Sequence, residues 1–251
     1  MIDTHCHLDH EPLVSDLEGV LARAMAAGVD RVVVPAVDGA SWPRVRALIE
    51  REGVMGALGL HPWSADESLD LDALDGALDD AVAVGEIGLD TKIEQPGLDR
   101  QLEVFRRQLA LAVDRNLPVI LHCRGAFPQL LGEIDRFGGT LRGVVHAFSR
   151  GPELAQQLVA AGMVLGIGGA VTRPRADRVR RAVRRVPLER LILETDAPSI
   201  GLDGVPAERT EPRHVADVAT ALAEVLDQPV DHIAATTTTT AETLFDLKGR
   251  R

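Results

Sequence analysis

Short apolar runs alternate with longer amphipathic runs along the whole chain, and eight such pairs span the 251 residues. The apolar runs begin near Ile2 (MIDTHCH), Arg31 (RVVVPAV), Val54 (VMGALGL), Ala81 (AVAVGEIGLD), Pro118 (PVILHCRG), Leu141 (LRGVVHAFS), Met163 (MVLGIGG) and Arg190 (RLILETDAP). Their spacing of roughly 22 to 37 residues is the length of a strand plus a crossover helix. Between them the period changes. Leu102, Phe105, Leu109 and Ala112 recur at steps of three and four, one face of a helix, as do Leu13, Leu17, Val20 and Ala24, and Val215, Val218, Leu222 and Leu226. Strands that are almost continuously apolar are covered on both faces, which means a parallel sheet with helices outside. Eight repeats point to closure. The expected fold is therefore α/β, a (β/α)8 TIM barrel forming a single domain over residues 1–251, ahead of an open doubly wound sheet. The run TTTTTAETLF is read as a last helix, although Thr is a poor helix former.

Composition narrows the class of protein. Apolar residues at 45% can fill a large interior, and 26% charged residues fit a soluble globule. No apolar run is long enough to cross a bilayer and no leader is evident, so the expected compartment is the cytoplasm. Cys6 and Cys123 each adjoin a histidine inside an apolar segment and read as reduced thiols, not a disulfide. A net charge of −11 argues against a stable, sequence-reading nucleic-acid complex. The arginines at 173, 175, 178, 180, 181, 184 and 185 crowd into one stretch, read as the solvated outer face of a helix.

Polar residues interrupt the strands at one end. Side chains on a strand alternate, so His5 and His7 point together into the barrel mouth while Cys6 points out toward the helices. The pattern repeats. Glu86 in GEIGLD, His122 in ILHCRG, His146 in VVHAFS and Asp196 in LILETDAP are each the first strongly polar, ligand-capable group after an apolar strand. All arrive at the carboxyl rim, where barrel enzymes keep their chemistry. Four imidazoles and two carboxylates exceed what one four-coordinate ion needs, so the set predicts two divalent ions. A polar plug without cations would be costly to bury.

Such ions would bring a bound water toward neutral pKa and stabilise attacking and leaving oxygens. A formal count of two divalent ions against Glu86, Asp196 and a bridging hydroxide leaves a net positive charge, which an anionic group such as a phosphodiester would meet. By the same alternation Arg124 sits above His122, to hold a phosphate oxygen or to form a rim salt bridge. Glu194 and Asp3 lie one layer deeper, as partners for the ligand imidazoles. His61 in GLHPW reaches the mouth and is assigned to substrate or leaving-group contact. Asp90 does similar work or caps the following loop. His10, His214 and His232 read as surface residues.

Taken together, DTHCHLD, GLHPW, GEIGLD, LPVILHCRGA, GVVHAFS, GIGGAVT and PLERLILETDAP resemble the TatD family of metal-dependent deoxyribonucleases, within the amidohydrolase-type barrels. The resemblance runs nearly end to end. It implies hydrolysis of DNA phosphodiester bonds and divalent metals held by His5, His7, Glu86, His122, His146 and Asp196. It also implies that Glu86 bridges the ions and that Asp196 orients or deprotonates the attacking water. Three departures bear on substrate: Thr91 follows GEIGLD where the family carries an aromatic residue, and Thr210 and Thr240 replace expected asparagines. An SIGLDG insertion follows ETDAP.

The expected substrate is DNA or a nucleotide phosphodiester, attacked at ends or in single strands. The alternative is a barrel amidohydrolase or deaminase acting on a small C–N substrate. Binuclear members of that group bridge their metals through a modified strand-four lysine, whereas this chain has Glu86 there and only Lys92 and Lys248 as lysines. A barrel that binds partners without catalysis is a further reading, opposed by the complete ligand set. Four imidazoles favour zinc, manganese or iron, while the resemblance points to magnesium.

Overall fold

In the computed structural model, which describes residues 1–247, the eight apolar runs are eight strands. They are β1 (Ile2–Asp3), β2 (Arg31–Pro35), β3 (Val54–Leu58), β4 (Ala83–Asp90), β5 (Val119–Arg124), β6 (Gly143–Val145), β7 (Val164–Ile167) and β8 (Leu191–Leu193). Every ladder is parallel and neighbours follow sequence order. The seam between last and first strands is drawn together where Thr4 N–H donates to Leu193 O at 3.0 Å and Cys6 pairs with Ala197. The barrel is thus nearly closed, and the open-sheet alternative is set aside. Lys248 lies outside the described residues.

Around the strands run α1 (Leu17–Ala26), α2 (Trp42–Ile49), α3 (Leu71–Ala77), α4 (Leu98–Asp114), α5 (Phe127–Asp135), α6 (Pro152–Ala160), α7 (Asp177–Val183), α8 (Val215–Leu226) and α9 (Val230–Leu244). Alternation sorts the apolar side chains into two cores. Val32, Val34, Val119, Leu121, Leu191 and Leu193 face outward to meet the helices in the larger one, with Cys6 among them. Ile2, Val33, Ile120, Val144 and Ile192 face inward and fill the barrel's lower half. There Ala241, Leu244, Phe245 and Leu247, from the end of α9 and the residues after it, join them as a stopper. Thr237, Thr239, Thr240 and Thr243 each donate a hydroxyl to the carbonyl four residues earlier, at 2.8–3.0 Å. Threonine is tolerated in this helix because its hydroxyl is satisfied by the helix itself.

Two sequence readings need correction. Leu13 precedes α1, although it is buried with the helix face it was grouped with. The arginine-rich stretch is not one helix: α7 covers Asp177–Val183 only, and Arg173, Arg175, Arg184 and Arg185 are exposed at its flanks. Arg173, Arg180 and Arg184 donate to the carbonyls of Gly201, Val171 and Val225, tying loops together. Both cysteines are free thiols. Among the described residues no helix is long and apolar enough to cross a membrane.

Strand β4 carries the one irregularity that shapes the site. Ala83 faces the inner core and Val84 the outer, so unbroken alternation would send Glu86 outward. The register against β5 shifts between Val84 and Ile87, and beyond the shift Ile87 and Leu89 face outward. Glu86, Gly88 and Asp90 are thereby turned inward, which is how an irregularity in a strand re-aims a side chain. Glycine is required at 88: its φ is +148° and a Cβ there would lie 2.0 Å from the His122 carbonyl oxygen.

Candidate metal centre

The inward-facing groups meet at the carboxyl rim, around Glu86. This carboxylate is buried and five imidazoles surround it. Its Oε2 lies 3.2 Å from His5 Nε2 and 3.9 Å from His7 Nε2. Its Oε1 lies 2.7 Å from His146 Nε2, 3.0 Å from His122 Nδ1 and 3.5 Å from His61 Nε2. Asp196 stands beside the first group, its Oδ1 3.4 Å from His7 Nε2 and 3.9 Å from His5 Nε2. Asp196 has φ +55°, a left-handed turn that Asp adopts more readily than most residues.

Burial alone would raise the Glu86 carboxyl, yet the charges of His146, His5 and His61 hold it well below the usual carboxylate range. Burial likewise disfavours an imidazolium at His146, but Glu86 beside it, helped by Glu194 and Asp196, lifts it to about 10. Burial and the neighbouring His146 push His5 down to about 4. Charge is therefore unevenly shared, and part of it depends on protons that a metal ion would displace.

The donor set fits divalent cations. His5 Nε2 is buried without a hydrogen-bond partner despite its closeness to Glu86, as are His5 Nδ1, His7 Nδ1 and His146 Nδ1. His5 and His146 stack at 4.0 Å between ring centroids, and His122 Nδ1 lies 3.3 Å from His146 Nε2. Nitrogen and oxygen atoms bound about 2.1 Å from one tetrahedral ion lie about 3.4 Å apart. Separations of 3.2–3.9 Å within the His5, His7, Glu86 and Asp196 group straddle that edge length, and those of 2.7–3.3 Å within the Glu86, His122 and His146 group lie just below it. Donor atoms of His5, His7 and Asp196, and of His5, Glu86 and His146, lie within 4.8 Å of one another.

Behind the donors stand further carboxylates. Asp90 Oδ2 faces His122 Nε2 at 3.4 Å, leaving Nδ1 to point at Glu86. Asp90 also accepts from Lys92 N–H at 2.8 Å, so it caps the loop as well as backing the imidazole. Glu194 Oε1 lies 4.0 Å from His146 Nδ1 and accepts the Ala147 N–H. Gly166 on β7 makes room for it, since a Cβ there would lie 2.2 Å from Glu194 Oε2. Asp3 differs from expectation. It accepts from His5 N–H and from the N–H and hydroxyl of Thr195, and so fixes main chain instead of an imidazole.

His7, Glu86, His122, His146 and Asp196 line a cleft of about 340 Å3 that also holds His61, Trp63, Arg124 and Arg150, with His5 buried beneath it. Arg124 is exposed and makes no ion pair among the described residues. The structure decides against the surface reading for His214, while His10 is a partly exposed residue of the rim. His10 stacks on His7 at 5.1 Å and lines the cleft. His214 is buried and its Nδ1 accepts the Glu211 N–H at 2.9 Å. His232 is exposed, as expected.

With this geometry in place, comparison with known proteins is direct. The family model described as TatD related DNase matches residues 2–246. The chain belongs to the TatD family. It is 40% identical over 253 residues to the metal-dependent hydrolase YjjV of Escherichia coli K12, covering 98% of each. The crystal structure of that TatD homologue superposes with a TM-score of 0.91 at 37% identity, again over 98% of each chain. The Citrobacter koseri protein named 3'-5' ssDNA/RNA exonuclease TatD is 30% identical over 259 residues, spanning 98% of this chain and 99% of its own. Membership makes the chain a metal-dependent hydrolase acting on ester bonds.

Seen as a TatD protein, the chain contains rim residues that sequence reading missed. Asp9 is buried and takes Arg44 at 3.3 Å on Oδ2, while its Oδ1 lacks a partner. It groups with His7 and His10, their donor atoms within 4.8 Å. Arg150 lies over the Phe127 ring at 5.4 Å. Each falls two or four residues past a candidate ligand, which was the available signal. Two of the departures lie away from the cleft: Thr210 is buried and donates to Pro206 O, and Thr240 sits on α9 at the far end of the barrel.

The backing carboxylate at 194 yields a measurable expectation. Glu194→Gln should weaken metal binding by about 10- to 100-fold, the usual effect of losing a carboxylate behind a ligand imidazole. Competition titration against a chromogenic chelator measures it. An unchanged affinity would make Glu194 merely a filler between β7 and β8.

Proposed function

We propose that residues 1–251 act as one barrel hydrolase that cleaves DNA phosphodiester bonds, at ends or in single strands, with two divalent ions. The observation carrying this reading is Glu86, whose Oε2 faces His5 and His7 while Oε1 faces His122 and His146. One carboxylate addressing two donor groups through separate oxygens is suited to bridging. Zinc, manganese and iron match four imidazoles, whereas the family resemblance implies magnesium for turnover. When bound, the ions would supply an acidified water and a positive field for the phosphate.

The chain's own residues then divide the work. Asp196, at the rim beside His7, holds the attacking water and accepts its proton. Arg124 holds a non-bridging phosphate oxygen, as an unpaired guanidinium can, with Arg150 on the same cleft. His61, 3.5 Å from Glu86, contacts the substrate or leaving group. Asp90 and Glu194 keep His122 and His146 aimed at Glu86. The net charge of −11 repels a long polyanion, so binding is brief and local. The free thiols suit a reducing compartment, in keeping with the cytoplasm.

A chelator should abolish cleavage of a linear single-stranded oligonucleotide and manganese or zinc should restore it, with metal content counted by elemental analysis. A covalently closed single-stranded circle should survive under the same conditions if ends are the target. Hydrolysis of a small amide with DNA left intact would instead select the amidohydrolase alternative.

A further inference from the structure

Trp63 is the one aromatic side chain among the exposed large hydrophobics of the described residues, 55% exposed in a chain with two tryptophans and no tyrosine. An exposed indole gives up the burial that usually rewards so large an apolar ring. Its position is fixed from both ends. The indole Nε1–H donates to Asp90 Oδ2 at 3.0 Å, and the main-chain N–H donates to His61 Nδ1 at 3.1 Å. Pro62 stiffens the turn that carries it. The ring meets His61 edge-on at 4.7 Å between centroids and His122 at 6.4 Å. It is therefore a rigid aromatic surface on the wall of the cleft, next to the donor group around Glu86 Oε1.

We infer that Trp63 is the stacking platform for an unpaired nucleobase of the substrate strand, adjacent to the phosphate being cleaved. The inference rests on the nuclease reading above and adds the feature of the substrate that is recognised. A phosphate drawn to the metal centre and to Arg124 and Arg150 carries its sugar and base outward along the same wall. A flat, neutral heterocycle is what an indole pinned through its N–H can accept on its face. Stacking ignores base identity because every base has a π-face. It does require the base to be unpaired, so Trp63 would set a preference for single strands without reading sequence. The hydrogen bond to Asp90, which also faces His122, ties the platform to the metal centre and fixes its distance from the reacting phosphate.

The test uses the metal-loaded protein with Trp42→Phe as background, so that Trp63 is the sole fluorescent indole. Trp42 lies outside the cleft, its Nε1–H on Gly59 O. A phosphorothioate oligothymidylate should quench the emission, and the same oligomer with an abasic terminal residue should not. In steady-state cleavage of single-stranded DNA, Trp63→Ala should raise KM roughly 5- to 150-fold, from the usual worth of one stacked base. The change in kcat should be much smaller, and Trp63→Phe should recover most of the affinity where Trp63→Leu does not. Equal quenching by base-bearing and abasic oligomers would overturn the inference, as would an unchanged KM in Trp63→Ala. Stronger quenching by a phenylalanyl dipeptide would assign the ring to peptide instead. These failures leave cleavage by the wild type intact, whereas failure of the nuclease reading would appear as a wild type inert toward every phosphodiester.

Discussion

Glu86→Gln is expected to eliminate metal-dependent hydrolysis while leaving the barrel folded. The carboxylate is buried among five imidazoles within 3.9 Å, four of them buried with it and His122 partly so. Removing one partner from a buried charge cluster costs about 3–5 kcal/mol, and a loss of that size carried onto metal binding is about two to four orders of magnitude in affinity. The effect extends to the imidazoles. His146 is held up to about 10 with Glu86 its leading support, so in the metal-free variant its titration should move down. Elemental analysis, chelator competition and histidine NMR titration read these three consequences separately. A variant that kept full metal content and wild-type kcat would remove Glu86 from the centre of the mechanism.

The second large effect is expected at Asp196. Asparagine keeps the shape and loses the charge that would take a proton from the attacking water. Removing a general base typically costs about 10²- to 10⁴-fold in rate. Burial would raise the Asp196 carboxyl, but hydrogen bonding from His7 and the charges of His5 and His146 hold it low, so it is ionised at working pH. At saturating metal the Asp196→Asn loss should fall on kcat, with KM changing little, because the interaction belongs to the transition state. A variant limited only by metal affinity, with kcat restored at high metal, would make Asp196 a ligand and nothing more.

The fold was legible because eight nearly continuous apolar strands allow few other arrangements, and each rim residue follows one of them. His122, Arg124 and His146 were placed correctly by plain alternation from Ile120 and Val144. Glu86 arrived inside for a reason alternation does not contain: the register shift on β4 reverses the phase between Ala83 and Glu86. The two glycines of GEIG were the local hint. His10 and His214 were harder to place, because loop residues have no period to follow and their burial depends on what folds over them. Asp3 was assigned the right depth and the wrong partner, since which hydrogen bond a buried carboxylate makes is set by neighbours such as Thr195, remote in sequence.

The stopper formed by Leu244, Phe245 and Leu247 has a functional corollary. A barrel sealed at one pole is a cul-de-sac: nothing can be threaded along its axis, and whatever enters must back out the way it came. The severed nucleotide and the freshly exposed strand terminus would compete for a single doorway. Turnover would then be a succession of separate visits, with product occupancy at the entrance as its natural brake.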